Sequence, residues 1–136
     1  MTYSLLYKNI ARINLGIISN YSFVELENSK FTLDFIDFLY LNNYINNYII
    51  KKKKIIIFFK FSISGSIIRK LVMDSKVHLW RWYRYKRLIS SKSLFIRKYK
   101  KSELGLIILH TSKGFLFFET AYLKQIGGKF ICQIKV

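Results

Sequence analysis

The chain is poor in the residues that build cross-links and active sites. It has one cysteine, Cys132, which excludes an internal disulfide. A lone cysteine in an apolar stretch reads as an inert core residue. Its two histidines, His78 and His110, have no Cys or His nearby to complete a metal-binding box. Of the seven acidic residues, only Asp34 and Asp37 have a suggestive spacing, and they read as the wet face of a helix. No apolar run approaches the ~18 residues of a membrane span. The longest, residues 55–59, has strand length and is flanked by lysines. The N-terminus lacks the short charged region and apolar block of a secretory signal. Proline is absent, while Ile, Lys, Asn, Phe and Tyr, all with A/T-rich codons, abound. That bias points to an A/T-rich genome, such as an organelle's, and carries no mechanism.

What the chain has in excess is positive charge. Its 24 Lys and Arg against 7 Asp and Glu give a net charge of +17. Such an excess repels itself in a compact chain, so a polyanionic partner is implied. Nucleic acid is the leading candidate and an anionic membrane surface the second. About half of the 136 residues are apolar (51%), enough for a core, and the length suits one domain or two very small ones.

Leu6, Ile10, Ile13 and Ile17 are spaced as one apolar helix face, with Lys8 and Arg12 on a polar side. An Arg-containing amphipathic N-terminus also fits a cleavable targeting peptide. Residues 21–26 read as a short strand with Val24 and Leu26 on one face. Ser29 is placed to cap a second helix carrying Phe31, Leu33, Phe35, Ile36, Phe38 and Leu39. Asp34 can pair with Lys30 one turn back, and Asn42-Asn43 ends the helix. Residues 44–50 and 55–61 read as two strands, with Lys51, Lys52, Lys53 and Lys54 as the hairpin loop. That loop is either a solvated turn or a nonspecific phosphate contact. Ser64-Gly65-Ser66 is the expected domain boundary, giving domains 1–64 and 65–136. Beyond it, residues 78–86, 94–99, 104–109, 115–118 and 129–136 are β-prone, and residues 120–125 form about one helical turn. The fold class is α+β: a helix–strand half, then a mostly β half.

Two segments carry candidate binding chemistry. In Thr111-Ser112-Lys113-Gly114, hydroxyls, an ammonium and a glycine at a strand-to-strand turn put donors near a phosphate backbone. The glycines of a nucleotide-binding P-loop are missing, so that reading is excluded. His110 and Ser112 imitate part of a hydrolase triad, but no acid partner is signalled. The run from Trp80 to Arg87 interleaves aromatics and cations, with Arg81, Tyr83, Tyr85 and Arg87 on one strand face. That face can stack on bases and neutralise phosphates. Alternatively, the run is an amphipathic strand with Trp80 and Trp82 in the core.

The stretch Gly105-Leu106-Ile107-Ile108-Leu109-His110-Thr111-Ser112-Lys113-Gly114 resembles the signature of the small-subunit ribosomal protein eight family, of bacterial and organellar type. In that family a glycine-led apolar strand runs into Ser-Thr-Ser-Lys-Gly. Ala121 and the segment from Ile126-Gly127-Gly128-Lys129 to Cys132 match the continuation into a Gly-Gly turn and a final strand. Ala11-Arg12-Ile13-Asn14, Ser29-Lys30, Ile67-Ile68-Arg69-Lys70, Ser75-Lys76, Arg81 and Tyr83 extend the likeness over nearly the whole chain. His110 stands where the family has serine and Asn14 where it has arginine. The Pro-Gly expected after Ser75-Lys76 is missing, and residues 86–103 are longer than usual.

The resemblance implies an αβαββ N-terminal domain, a β-rich C-terminal domain and no catalysis, cofactor or metal. It implies binding to the central domain of small-subunit ribosomal RNA, contacts with neighbouring small-subunit proteins, and no small-molecule substrate. Thr111, Ser112, Lys113 and Gly114 would contact RNA, with Gly127, Gly128 and Lys129 shaping the adjacent surface and Arg81 and Tyr83 beside them. Arg12, Ser29 and Lys30 would add contacts from the first domain. The abundance of residues with A/T-rich codons and the divergence from bacterial members point to a mitochondrial ribosome in the matrix, with a plastid as the alternative. The rival readings are a small RNA-acting enzyme using His110 and a peripheral membrane protein using residues 51–54 and the first helix.

Overall fold

The computed structural model describes residues 2–63, 65–72, 82–83 and 107–136, with residues 82–83 described by their backbone. The chain forms two compact units, residues 1–71 with Val136, and residues 72–135. The first unit runs α1 (Thr2–Ile18), β1 (Phe23–Glu27), α2 (Lys30–Leu41), β2 (Ile45–Lys51) and β3 (Lys54–Phe59). This is the expected αβαββ order. A small antiparallel hairpin, β4 (Phe61–Ser62) and β5 (Gly65–Ser66), and the short β6 (Lys70–Val72) follow.

In the first unit the strands pair antiparallel in the order β1-β3-β2. Strand side chains alternate between faces, so the Leu26–Ile55 register puts Leu26, Ile55 and Ile57 on one face. That face is fully buried with Leu6 and Ile10 of α1 and Phe35, Ile36 and Leu39 of α2. Burying each such side chain stabilises by about 1.5–3 kcal/mol. The apolar stripe expected for α1 is thus its core face, although Ile17 is only half-buried. Ser29 caps α2: the Thr32 N–H donates to Ser29 Oγ at 3.1 Å. Asn42 closes the helix, and Asn43 takes a left-handed φ of 64°, which asparagine tolerates.

Two expectations for this unit need correction. The Lys30–Asp34 pair is not formed: the ion pairs among the described residues are Lys8–Glu27 and Arg12–Glu27. An exposed pair one turn apart gains only about 0.3–0.5 kcal/mol, too little to order two side chains. The lysine loop is also shorter than expected. Lys51 and Lys54 pair as the last rung of the ladder, leaving Lys52 and Lys53 as the turn. Lys52 at φ 40° lets two residues reverse the chain.

The second unit contains β7 (Trp82–Tyr83), β8 (Ile107–Thr111), β9 (Gly114–Phe117), α3 (Phe118–Leu123) and β10 (Gly128–Lys135). β10 pairs antiparallel with β7 and with β8, and β8 pairs with β9. One sheet face packs Ile107, Leu109 and Phe130 against Phe118 and Ala121 of α3. Helix α3 starts at Phe118, two residues before the expected turn, because Phe118 and Ala121, three apart, both face this core. Cys132 is buried in β10, where loss of water pushes its thiol pKa far up, as expected of an inert core residue. Of the expected strand at 78–86 only Trp82–Tyr83 is described. Arg81, Ser75-Lys76, the further strand expected at 94–99 and the segment 86–103 lie outside the described residues.

Candidate nucleic-acid interface

The Thr111–Gly114 turn joins β8 to β9, and its four residues divide by role. Thr111 is buried and faces inward. Its Oγ1 donates to the Gly114 carbonyl at 2.8 Å and accepts from the Lys113 N–H at 3.1 Å. One hydroxyl thereby fixes both sides of the turn. Gly114 has φ 95°, a conformation that side chains rarely adopt. Ser112 and Lys113 are left exposed at the tip. A hydroxyl and an ammonium thus project from a backbone that is already fixed, which limits the entropy lost on binding.

The Gly127-Gly128 segment supports this turn from the next strand. Gly128 pairs with Thr111 in the β10–β8 register, with Lys129 opposite His110. A Cβ at Gly128 would lie 2.8 Å from Thr111 Cγ2 and 2.9 Å from the His110 carbonyl oxygen. Only glycine lets β10 approach the turn this closely. Lys129 is 7% exposed, so its side chain lies within the fold, and desolvation lowers its pKa. The half-buried His110 ring packs on Phe115 with centroids 4.9 Å apart. On the other side of β10, Tyr83 pairs with Gly128 and Trp82 with Lys129. The structure thus brings Tyr83, Thr111–Gly114 and Gly128-Lys129 to one end of one sheet.

Arg12, Ser29 and Lys30 belong to the first unit. Arg12 Nη2 is 3.6 Å from Glu27 Oε1, which also receives Lys8 Nζ at 3.2 Å. The hydrogen bond donated by Lys8, with the charges of Lys8, Arg12 and Lys54, holds the Glu27 carboxyl below its usual pKa. The Ser29 hydroxyl is used inside the helix cap, as acceptor from Thr32 N–H and as donor to Thr32 Oγ1 at 2.9 Å. Lys30 is exposed.

Sequence reasoning missed Asn9 and assigned no part to Asn14. Asn9 is fully buried and donates to the Glu27 carbonyl at 3.1 Å and to Thr32 Oγ1 at 3.0 Å. Its Oδ1 accepts from the Glu27 N–H at 3.3 Å. The signal was its phase: Asn9 is three residues after Leu6 and four before Ile13, on the buried stripe. Asn14, noted only as a departure from arginine, donates to the Leu71 carbonyl at 2.9 Å and accepts from the Leu71 N–H at 2.8 Å.

The sequence pattern of the family described as Ribosomal protein S8 matches residues 6–134, which takes in both units and the turn. The chain belongs to the ribosomal protein S8 family. It is 30% identical over 132 residues to the small ribosomal subunit protein uS8m of Acanthamoeba castellanii, covering 96% of this chain and 98% of that one. It is 30% identical over 128 residues to the small ribosomal subunit protein uS8 of Buchnera aphidicola subsp. Cinara cedri (strain Cc), covering 92% of each. This S8 protein is a structural component of the small ribosomal subunit and not an enzyme. That sets aside a hydrolase role for His110 and Ser112. Among the described residues, no helix is long and apolar enough to cross a membrane.

Proposed function

We propose that this S8 protein binds the central domain of small-subunit rRNA through the Ser112-Lys113 tip of its second unit. The observation that carries this reading is the exposure of those two donors on a turn held by Thr111 and Gly128. Lys113 supplies charge and Ser112 a directional donor, a pair that suits phosphate and ribose oxygens. Gly114, Gly127, Gly128 and Lys129 act from within by shaping the turn and its neighbouring strand. Tyr83, which lies on β7, and Arg81 extend the contact. Arg12 and Lys30 add cations from the first unit, while Ser29 organises the start of α2. The net charge of +17 supports a polyanionic partner.

The ribosome in question is proposed to be mitochondrial, in the matrix, with neighbouring small-subunit proteins as further partners. Likeness to uS8m of Acanthamoeba castellanii and the abundance of residues with A/T-rich codons support that placement. The test is binding of a central-domain rRNA fragment by wild type and by the Ser112→Ala, Lys113→Ala double variant. The variant is expected to bind roughly tenfold or more weakly, since charge-assisted hydrogen bonds contribute about 1.5–3 kcal/mol. Equal affinity at moderate salt would remove the turn from the interface.

A further inference from the structure

We propose that the β2–β3 lysine hairpin is a second, separate RNA contact, on the first unit, that grips phosphate backbone without reading sequence. It rests on the reading that this chain works on RNA, but not on the Thr111–Gly114 turn. Its elements are Lys51, Lys52, Lys53 and Lys54, all exposed, and the exposed Lys30, two residues after Asn28.

The hairpin is a fixed structure and not a loose charged loop. Lys51 and Lys54 close the strand ladder, and Lys52 at φ 40° makes the turn. Asn28 then holds the turn from the side. Its N–H donates to the Lys53 carbonyl at 2.9 Å and its Nδ2 to the Lys52 carbonyl at 3.2 Å. Both turn carbonyls, the negative ends of their peptide dipoles, are thereby engaged by Asn28. Asn28 directly precedes Ser29, the cap of α2, so the hairpin tip is tied to the start of that helix and to Lys30.

The charges are arranged against the protein's own stability. Lys51 and Lys54 stand directly opposite in the ladder, where like charges repel. The acid in register with Lys54 is Glu27, and its ion pairs go to Lys8 and Arg12. The four hairpin lysines therefore make no ion pair among the described residues. Four in succession, none in a close ion pair and only Lys54 near an acid, Glu27, fit a dense row of anions. Nucleic acid supplies that row, and lysine binds it as a point charge with no base preference. The tip itself, Lys51 to Lys54, holds no apolar side chain, and the exposed Ile49 and Ile50 lie behind it on β2, so the vesicle arm of the experiment below separates RNA from a membrane surface.

The experiment uses the full chain as wild type, as a Lys51→Gln, Lys52→Gln, Lys53→Gln variant, as the Ser112→Ala, Lys113→Ala variant, and as their combination. Affinity for an RNA duplex of arbitrary sequence is measured across a salt series. The hairpin variant is expected to lower the slope of log affinity against log salt by about 2–3, with or without the turn substitutions, because each lysine releases about one counterion. Its thermal midpoint is expected to hold or rise. An unchanged slope in both backgrounds overturns the proposal. So does unchanged RNA binding with lost binding to vesicles of anionic phospholipid. If the triple variant does not fold, Lys52→Gln and Lys53→Gln singly should each lower the slope by about 1, and no change in either overturns it. Normal RNA binding by the turn variant alone would count against the Ser112-Lys113 interface while leaving the hairpin standing.

Discussion

Gly128 of β10 lies directly across from Thr111 of β8, closer than any other residue type allows. The added Cβ would meet the His110 carbonyl oxygen at 2.9 Å, a backbone atom that has no rotamer to escape into. Gly128→Ala is therefore expected to destabilise the protein by about 1–3 kcal/mol, the range for overpacking a tight site. It should also weaken RNA binding by displacing the turn. Urea unfolding checks the first effect. A change below about 0.5 kcal/mol would mean that the two strands separate freely.

The sequence shows much of this site and hides its division of labour. Thr111, Ser112, Lys113 and Gly114 stand together in the chain, and a glycine in a strand-to-strand turn is readable as such. That Thr111 points inward depends on the β8–β10 register, which no local pattern displays. The resemblance groups Lys129 with the residues that shape the RNA-facing surface, and β10 is covered along Gly128–Ile134, with Lys129 buried in it. In the first unit the stripes of α1 and α2 and the cap at Ser29 were legible because each is local. Asn9 was not, because a buried asparagine is explained only by the Glu27 backbone and Thr32, eighteen and twenty-three residues away.

Asn9 ties α1 to the end of β1 and to the first turn of α2, so its removal leaves several polar groups without their partner. Asn9→Ala is expected to cost about 2–4 kcal/mol, since each buried group left unsatisfied costs about 1–3 kcal/mol. Ser29→Ala, which removes the cap of α2, should cost about 1 kcal/mol. Chemical denaturation of the two variants side by side checks the ranking. If Asn9→Ala is no worse than Ser29→Ala, the buried network contributes little.

Glu27 gives the first unit an acid-sensitive link. Its carboxyl pKa is lowered in the folded state, first by the hydrogen bond and charge of Lys8, then also by Arg12 and Lys54. A group with a depressed folded pKa contributes stability above its unfolded value, about 4.3, and loses it as pH falls through the folded value. Glu27→Gln should therefore be less stable than wild type near neutral pH and converge with it in acid. High salt should also shrink the difference, because the pair is exposed to solvent. A gap between the two proteins that persists once acid has protonated the carboxyl in both the folded and the unfolded chain would contradict this origin.

The most direct measurement is the position of this chain in a density map of the ribosome that carries it. Ser112 and Lys113 are expected to lie against the backbone of a small-subunit rRNA helix of the central domain, with the Thr111–Gly114 turn in the conformation described above. A Ser112-Lys113 tip that faces solvent or a protein neighbour, with rRNA bound elsewhere on the second unit, would contradict the proposed interface.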